Sequence, residues 1–276
     1  MNKIRILLIT VLGLCNLPLF AQVKLDTAYL QVIYLEDYVK NVDTKKMGYD
    51  ELFLNIGSHI SEFYSKRESQ VQNIRDSVFA IGGDISQATS LTADIPRSYQ
   101  YYHVYKNYPS KEMLTYTDKV LFDSYRYEEP LEKPVWTLLS ERKDIQGYLC
   151  QKAMAAFKGR KWTAWYTTKI PISDGPWKLN GLPGLILDAM DSDSLYHFYC
   201  VGMKQIKRSI PINIKGKFIK CSKQELYEKR KQLNENIVAY MKSMPQITNV
   251  ILKTPEKTKT NKYLDIEIQE SAKKQE

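Results

Sequence analysis

Alternating apolar and polar positions are clearest between residues 145 and 191, and they predict a run of antiparallel strands. The apolar positions of the first strand, Tyr148 to Phe157, fall on one face at a period of two, as successive strand residues point to opposite sides. These positions are Leu149, Ala153, Ala155 and Phe157. Lys158-Gly159 follows as a tight turn, because glycine accepts positive φ without strain. Residues 160–168, rich in aromatic and β-branched side chains, predict the returning strand.

A two-residue turn at this hairpin fixes its register. Trp162 then lies opposite Ala155, and Tyr166 lies opposite Gln151, so that one face pairs large rings with smaller side chains. Trp165 falls on the other face.

The segment after the hairpin is rich in proline and glycine. Pro171 cannot donate to a central ladder, so the strand is expected to end near Ile170, and Ser173 to Asn180 is expected to be a loop. Gly181, Pro183 and Gly184 are predicted to form a structural turn. Within it, Leu182-Pro183-Gly184-Leu185 fits a type II turn with positive φ at the glycine. Further strands are predicted for Leu185–Ala189 and Leu195–Ile206.

The N-terminal half predicts shorter elements. One helix is indicated by Val71, Ile74 and Val78 at helical spacing, with Gly82-Gly83 as its end. Ile85 to Pro96 is interpreted as a loop, and the adjacent Glu128-Glu129 as a solvated turn. Strands are predicted at Tyr29–Val39, Glu51–Ile56, His59–Tyr64, Tyr99–Asn107 (with Tyr99, Tyr101, His103 and Tyr105 on one face), Met113–Phe122 and Trp136–Lys143.

The clearest helix is predicted near the C-terminus, at about residues 222–244. Ser222-Lys-Gln-Glu225 fits a capping box. The apolar positions that follow at helical spacing before Pro245 are Leu226, Leu233, Ile237, Tyr240 and Met244. Residues 253–276 are expected to be a polar, mostly mobile tail, with one short strand candidate at Tyr263–Ile268.

These elements predict an α+β, mainly β chain. Residues 22–252 are expected to be a single β-rich domain, in which a curved antiparallel sheet carries one helix near its start and one at its end. Such a sheet would resemble the half-open barrels of periplasmic lipoprotein carriers.

The run GLPGLI at residues 181–186 is similar to the motif that gives the GLPGLI family of Bacteroidetes envelope proteins its name. Several neighbouring groups resemble family positions in family order: Cys150-Gln-Lys-Ala153, Gly159-Arg160, Ala164-Trp165-Tyr-Thr167, Ile170-Pro171 and Gly175-Pro176-Trp177-Lys178. The close similarity covers residues 145–191. It implies an exported, β-rich protein whose genes often lie beside those of outer-membrane TonB-dependent receptors. It implies no catalytic residues.

The first 21 residues have the pattern of a secretory signal peptide. Lys3 and Arg5 precede an apolar core, and Leu19-Phe20-Ala21 suits cleavage before Gln22. The alternative is a lipoprotein anchored at Cys15, which the large Leu14 before it disfavours. The chain is therefore expected to be exported, and to be periplasmic or associated with the outer membrane.

Charge is distributed unevenly along the exported chain. Residues 22–202 carry 21 basic and 23 acidic side chains, whereas residues 203–276 carry 17 and 8. After export, nucleic acid is not an expected partner. The basic C-terminal region could meet an anionic envelope surface, although a solvated helix and tail explain such a charge run more simply.

The sequence carries no recognisable catalytic motif. It lacks GxSxG, HExxH, GxGxxG, a P-loop and an EF-hand loop, and His59, His103 and His197 are far apart, so no catalytic residue, cofactor or metal is predicted. An oxidising compartment would allow one disulfide among Cys150, Cys200 and Cys221; three free thiols are the other possibility.

Aromatic residues provide the remaining site hypothesis. The 20 tyrosines and four tryptophans could line a cleft for an apolar, sugar-like or peptide ligand, although aromatics are also common in strands. Trp165, Trp177 and Lys178 are the predicted binding residues, with Lys178 as an exposed charge. The sequence thus predicts a non-enzymatic protein that binds a ligand or an outer-membrane receptor component. A hydrolase with an unrecognised site and a structural envelope component are the alternatives.

Overall fold

The computed structural model describes residues 25–41, 44–98, 100–235, 237, 240 and 266–267 of the 276-residue chain. The predicted signal peptide, Tyr99, Met244, Pro245 and most of the expected tail lie outside these residues. None of the described helices is long and apolar enough to span a membrane.

The described chain is mainly β, with one twelve-stranded sheet and three helices. Its strands are β1 Asp26–Asn41, β2 Lys46–Gly57, β3 Ser61–Ser65, β4 His103–Lys106, β5 Met113–Val120, β6 Asp123–Pro130, β7 Thr137–Ile145, β8 Tyr148–Phe157, β9 Arg160–Thr167, β10 Leu185–Asp191, β11 Tyr196–Ile212 and β12 Ile219–Lys220. Its helices are α1 Lys66–Ala80, α2 Ile85–Leu91 and α3 Lys223–Glu235. The strand order is β12-β6-β5-β4-β3-β2-β1-β11-β10-β9-β8-β7, antiparallel except where β12 pairs in parallel with β6.

The hairpin of β8 and β9 has the predicted register. Trp162 pairs with Ala155, and Tyr166 pairs with Gln151. The predicted inward face of β8 is wrong at one end, because Leu149 is exposed and Cys150 is buried in its place. The alternation changes phase at the half-buried Gln151 and Lys152.

The sheet curves strongly around an aromatic core. Phe63 on β3 and Phe198 on β11 are separated by three strand spacings, which is at least roughly 14 Å in a flat sheet at about 4.8 Å per strand. Their ring centroids are only 6.0 Å apart. The face that carries these rings must therefore be concave, and it encloses one continuous cluster of buried apolar side chains.

Two regions interpreted as loops are regular elements. Ile85–Leu91 forms α2, whose capping box joins Asp84 and Gln87 through bonds of 2.9 and 3.2 Å. Glu128 and Glu129 belong to strand β6. Tyr127 and Glu129 share the inward face of β6, so the solvated-turn interpretation was wrong for Glu129.

Helix α3 begins with the predicted capping box. Glu225 donates its backbone N–H to Ser222 Oγ at 3.2 Å, and Ser222 donates its own to Glu225 Oε2 at 2.6 Å. Leu226 and Tyr240 are buried, Leu233 is half-buried, and Ile237 is exposed. The apolar stripe therefore packs through part of its predicted length.

Ile266 and Glu267 are the described residues of the expected mobile tail, and both are buried. Arg160 on β9 donates to the carbonyl of Ile266 at 2.7 Å. At these two positions the tail packs on the body instead of moving freely.

The type II turn predicted at Pro183-Gly184 is wrong. Gly181 has a φ of +89°, whereas Gly184 does not adopt positive φ. Gly184 is needed for a different reason: a Cβ there would lie 2.1 Å from the carbonyl oxygen of Thr167. The close approach of two backbones, and not a left-handed conformation, requires this glycine.

Gly184→Val is expected to lower the free energy of unfolding by about 1–3 kcal/mol, because the added side chain must displace the end of β9. Gly202→Ala is the matched control, since its Cβ would meet only Ile33 Cδ1 at 3.8 Å. Chemical denaturation of both variants tests the contact. Equal stabilities of the two variants would show that β9 can shift without lowering the free energy of unfolding.

Candidate functional site

A cavity of about 350 Å³ lies on the sheet face opposite the aromatic core. Its floor is formed by β3, β4 and β5, helix α1 forms one wall, and the segment from Ile210 to Phe218 forms another. Pockets that bind small organic ligands commonly have volumes of about 300–1,000 Å³. It is therefore the candidate binding site.

Strand alternation explains which side chains reach the cavity floor. On β3, Phe63 points into the core, so Glu62 and Tyr64 point away from it. On β4, Val104 points into the core, so His103 and Tyr105 also face the cavity. Because β3 and β4 pair in register, Tyr64 lies opposite His103, and Glu62 lies opposite Tyr105.

The planes of three rings on the floor are nearly parallel. Tyr64 and His103 have centroids 5.2 Å apart at an interplanar angle of 8°, and His103 and Tyr105 have centroids 6.0 Å apart at 17°. Tyr64 lies across the strand pair from His103, whereas Tyr105 lies two residues further along the same strand, so the three rings occupy neighbouring positions of the floor.

Glu62 orients the imidazole of His103. Its Oε1 lies 2.9 Å from His103 Nδ1, and a carboxylate accepts hydrogen bonds, so Nδ1 carries a proton; Tyr105 Oη lies 3.4 Å from the same nitrogen. The other nitrogen, Nε2, has no hydrogen-bond partner among the described residues. Such a pair can bind a hydroxyl group or accept a proton as a general base.

The tyrosine hydroxyls of the floor remain neutral donors. Burial raises the pKa of Tyr105, and the Glu62 carboxylate adds to that shift; burial likewise raises the pKa of Tyr64. Tyr105 donates to the carbonyl of Asn213 at 3.1 Å, which ties β4 to the wall formed by residues 210–218. Asn55 donates to Tyr64 Oη at 3.2 Å.

Helix α1 adds a paired charge to the wall. Lys119 Nζ on β5 lies 2.5 Å from Glu68 Oε1 and 2.6 Å from Gln72 Oε1. The ammonium is therefore matched by a carboxylate, and α1 is fixed to the sheet across the cavity.

The sequence indicated only part of this site. The alternation that places Tyr101, His103 and Tyr105 on one face was visible, and all three line the cavity. Glu62 was missed because it stands 41 residues from its partner His103. Only the pairing of β3 with β4 brings them together.

The predicted binding residues do not form one surface. Trp177 is fully buried and packs on Trp162 and Phe157, with ring centroids 5.9 and 6.1 Å away. Trp165 lies on the opposite face of β9 from Trp162 and is half-buried, with Lys143 Nζ 4.5 Å from its ring centroid. The two predicted rings therefore do not share a cleft.

Lys178 is buried, and the prediction of an exposed charge was wrong. Its Nζ lies 2.5 Å from Glu129 Oε1, 2.7 Å from Glu267 Oε2 and 2.9 Å from Tyr127 Oη. Burial acts to raise the pKa of Glu267, but Lys178 and Lys223 outweigh it, so the pKa of this carboxyl is lowered. This group of residues, the Lys178 cluster, joins the expected loop to β6, α3 and the tail.

A second buried lysine holds the same part of the chain, residues 168–184, called here the crossing segment. Lys106 Nζ on β4 lies 2.5 Å from Asp174 Oδ1, 2.7 Å from the carbonyl of Gly175 and 3.1 Å from that of Leu179. Burial lowers the pKa of Lys106, and the Asp174 carboxylate opposes that shift. Residues 174–180 of the crossing segment are thus buried in the core and do not form an open, exposed loop.

Trp177→Ala should lower the free energy of unfolding by about 3–5 kcal/mol, because it removes a fully buried ring. Trp165→Ala should cost roughly 1–2 kcal/mol, since that ring is partly solvated. Thermal or chemical unfolding of both variants measures the difference. A fully stable Trp177→Ala protein would contradict a core role for this ring.

Two buried carboxyl groups lie at another point of the core. Glu36 and Asp50 face each other across β1 and β2, and both are fully buried. Burial raises the pKa of Glu36, and the neighbouring Asp50 adds to that shift. Burial also raises the pKa of Asp50, although Ser98, Ser65 and Arg67 favour its charged form.

The raised pKa of Glu36 makes stability depend on pH. Its stabilising contribution is complete below the ordinary value of 4.5 and is lost as the pH rises through the higher folded-state value. Glu36→Gln is therefore expected to lose less stability than wild type as the pH rises above 4.5, the ordinary pKa of this carboxyl group.

Unfolding midpoints measured across that range test the prediction. Glu51→Gln on the same sheet is the control, because Glu51 is partly exposed and paired with Lys66. Parallel pH profiles for wild type and Glu36→Gln would contradict it.

The remaining candidate side chains are dispersed. All three cysteines that the structure describes are free, and burial raises the pKa of Cys150 and of Cys200 to about 11. They are therefore protonated at neutral pH. His197 lies 3.2 Å from Asp188 on the sheet surface, away from the cavity.

Fold and site together define a mainly β protein with an aromatic core on one sheet face and a small polar cavity on the other. Residues 156–188 match a family model described as "Protein of unknown function (Porph_ging)". This range includes the GLPGLI run and the whole crossing segment, and the match is compatible with the GLPGLI resemblance. No curated protein matches the chain.

Solved structures of PNGF-II are similar in fold. Structures in space groups P21 and C2 have TM-scores of 0.51 and 0.50, each at 13% sequence identity. The similarity covers 75% of this chain and 33% of the PNGF-II chain. At this identity it shows the fold alone, and the chain spans about a third of the PNGF-II length.

Proposed function

We propose that this protein is an exported envelope protein that binds a small ligand in the cavity over β3, β4 and β5 and does not transform it. The cavity of about 350 Å³ carries the proposal, because His103 lines it and the Nε2 of that ring has no partner among the described residues. A concave site with a few converging polar groups is the usual basis of a binding-site hypothesis.

The wider setting of the proposal comes from the sequence. The signal-peptide pattern supports export to the periplasm or outer membrane. The family resemblance supports association with a TonB-dependent receptor system. The strongly curved sheet supports a half-open barrel like that of lipoprotein carriers, and the basic residues of 203–276 support contact with an anionic envelope surface.

A hydrolase is the second candidate, and the Glu62–His103 pair favours it. A carboxylate that orients an imidazole is the arrangement of a general base. Turnover of a bound ligand by wild type, lost in His103→Phe, would favour the hydrolase. Ligand recovered unchanged would favour binding alone.

Filling the cavity tests the binding function. Ser69→Phe places a ring on the cavity wall from α1. It is expected to abolish the thermal stabilisation that wild type gains from any cavity ligand, because the ring occupies the same volume. Ser77→Phe is the control, since Ser77 is exposed on the same helix and does not line the cavity.

The assay is thermal unfolding against neutral sugars, acidic sugars, short peptides and fatty acids. A ligand that stabilises wild type and Ser77→Phe, but not Ser69→Phe, supports the proposal. Stabilisation that survives in Ser69→Phe places the site elsewhere, and the absence of any stabilisation in wild type overturns a small-ligand function.

A further inference from the structure

We propose that this protein docks on an anionic lipid surface, with the turn between α1 and α2 entering the headgroup layer and the lysines of residues 213–220 meeting lipid phosphates. The inference rests on the envelope location in the proposed function, and it names the surface and the residues that would meet it. An exposed apolar patch, a group of lysines without acidic neighbours, and their positions beside the same cavity carry it.

Exposed apolar side chains are concentrated where α1 is followed by α2. This patch, called here the apolar tip, consists of Phe79, Ile81, Ile85 and Leu91. Ile81 is 86% exposed and Leu91 is 64% exposed. Large apolar side chains that are exposed close together mark a surface for a partner or a membrane, because burying them is favourable. Within residues 77–93 the one charged side chain is Asp84, which caps α2.

The apolar tip belongs to a compact pair of helices. Gly82 donates its backbone N–H to the carbonyl of Phe79 at 3.0 Å, and Gly83 donates to that of Val78 at 2.9 Å, so α1 ends in a defined turn. A Cβ at Gly83 would lie 2.5 Å from Val78 Cγ1, which shows how closely the turn approaches α1. Helix α2 packs on α1, with Ala88 buried. The side chains of the tip are therefore left exposed outside a packed helical pair.

The segment 213–220, called here the strap, is basic. Its lysines are Lys215, Lys217 and Lys220; all three are exposed, and none forms an ion pair within the described part of the chain. Residues 195–224 contain no Asp or Glu. Ile219 is also exposed, so the strap combines cationic and apolar side chains. Such a combination is typical of segments at a lipid–water boundary, where apolar groups enter the lipid and ammonium groups stay with the phosphates.

The apolar tip and the strap border the same cavity. Asp76, three residues before Phe79 on α1, lines it together with Lys215 and Phe218 of the strap. One turn of helix rises about 5.4 Å, so the tip begins close to this wall. An apolar patch alone would suit a protein as well as a lipid. The unpaired lysines beside it favour an anionic lipid surface, because such a surface offers phosphate groups and hydrocarbon together.

Vesicle flotation of the full exported chain tests the inference. The probes are vesicles of phosphatidylcholine mixed with phosphatidylglycerol, and vesicles of phosphatidylcholine alone. Wild type is expected to bind the mixed vesicles at least about tenfold more strongly, because its lysines are attracted by the anionic headgroups. Ile81→Ser should weaken that binding by about tenfold, since it removes an apolar group that enters the lipid. Val135→Ser is its control, because Val135 is 88% exposed and lies just before β7, at the opposite end of the strand order from β12.

A second pair of variants tests the strap. The strap variant replaces its three lysines by Gln and should weaken binding to the mixed vesicles by at least about tenfold. Its control replaces three exposed lysines around β7 and β9 by Gln, namely Lys133, Lys161 and Lys169, and removes the same charge. Unfolding midpoints equal to wild type are expected for all four variants, because each change is at an exposed position. If Ile81→Ser unfolds, Leu91→Ser replaces it.

The outcomes separate this inference from the cavity function. Weaker binding in the tip and strap variants, with both controls unchanged, supports docking on anionic lipid. Equal weakening by the two lysine variants would show an effect of net charge alone and overturn it. Binding that Ile81→Ser leaves unchanged would show anion binding without lipid insertion and also overturn it. Wild type that binds neither vesicle overturns the docking, whereas the cavity is tested without lipid through Ser69→Phe.

Discussion

Two buried ammonium groups, those of Lys106 and Lys178, hold the crossing segment inside the curved sheet. A buried charge is strongly unfavourable unless its partners are complete, and both lysines have carboxylate and neutral oxygens at hydrogen-bond distance. Removing either ammonium would leave buried carboxylates without a counter-charge. The conformation of residues 168–184, including positive φ at Trp177, is therefore imposed by these contacts more than by local preference.

The buried contacts of Lys106 also determine which side chains line the cavity on the other sheet face. Strand β4 is only four residues long, and it turns Val104 and Lys106 towards the core and His103 and Tyr105 towards the cavity. Fixing the Lys106 ammonium fixes the pleat of β4. The alternation of side chains then fixes the rings that form the cavity floor.

The local sequence pattern was enough to predict those elements that are determined by residues close together in the chain. The β8–β9 hairpin follows from its apolar period and from Lys158-Gly159, and the start of α3 follows from Ser222 and Glu225. The prediction of a type II turn was wrong because a glycine can be needed where a distant backbone segment leaves no room for a side chain, as well as where φ is positive. Local sequence pattern indicates only the second of these two needs.

The candidate site depended on information that is not local. Trp177 stands in a segment rich in glycine and proline, which suggested an exposed ring, yet residues on β8 and β9 cover it. Glu129 resembled part of a polar turn until Lys178 supplied its partner. Burial of polar and aromatic side chains is decided by what packs on them, and the strand order that brings those partners together cannot be deduced from neighbouring residues alone.

The Lys178 cluster also sets an order of events during synthesis of the chain. Glu267 is 89 residues beyond Lys178, and it supplies one of the two carboxylates on that ammonium. A nascent chain cannot complete the cluster until residue 267 has left the ribosome. All twelve strands of the described sheet are thus made before these ion pairs can form, so a segment synthesised after them completes an interior that the strands have already outlined.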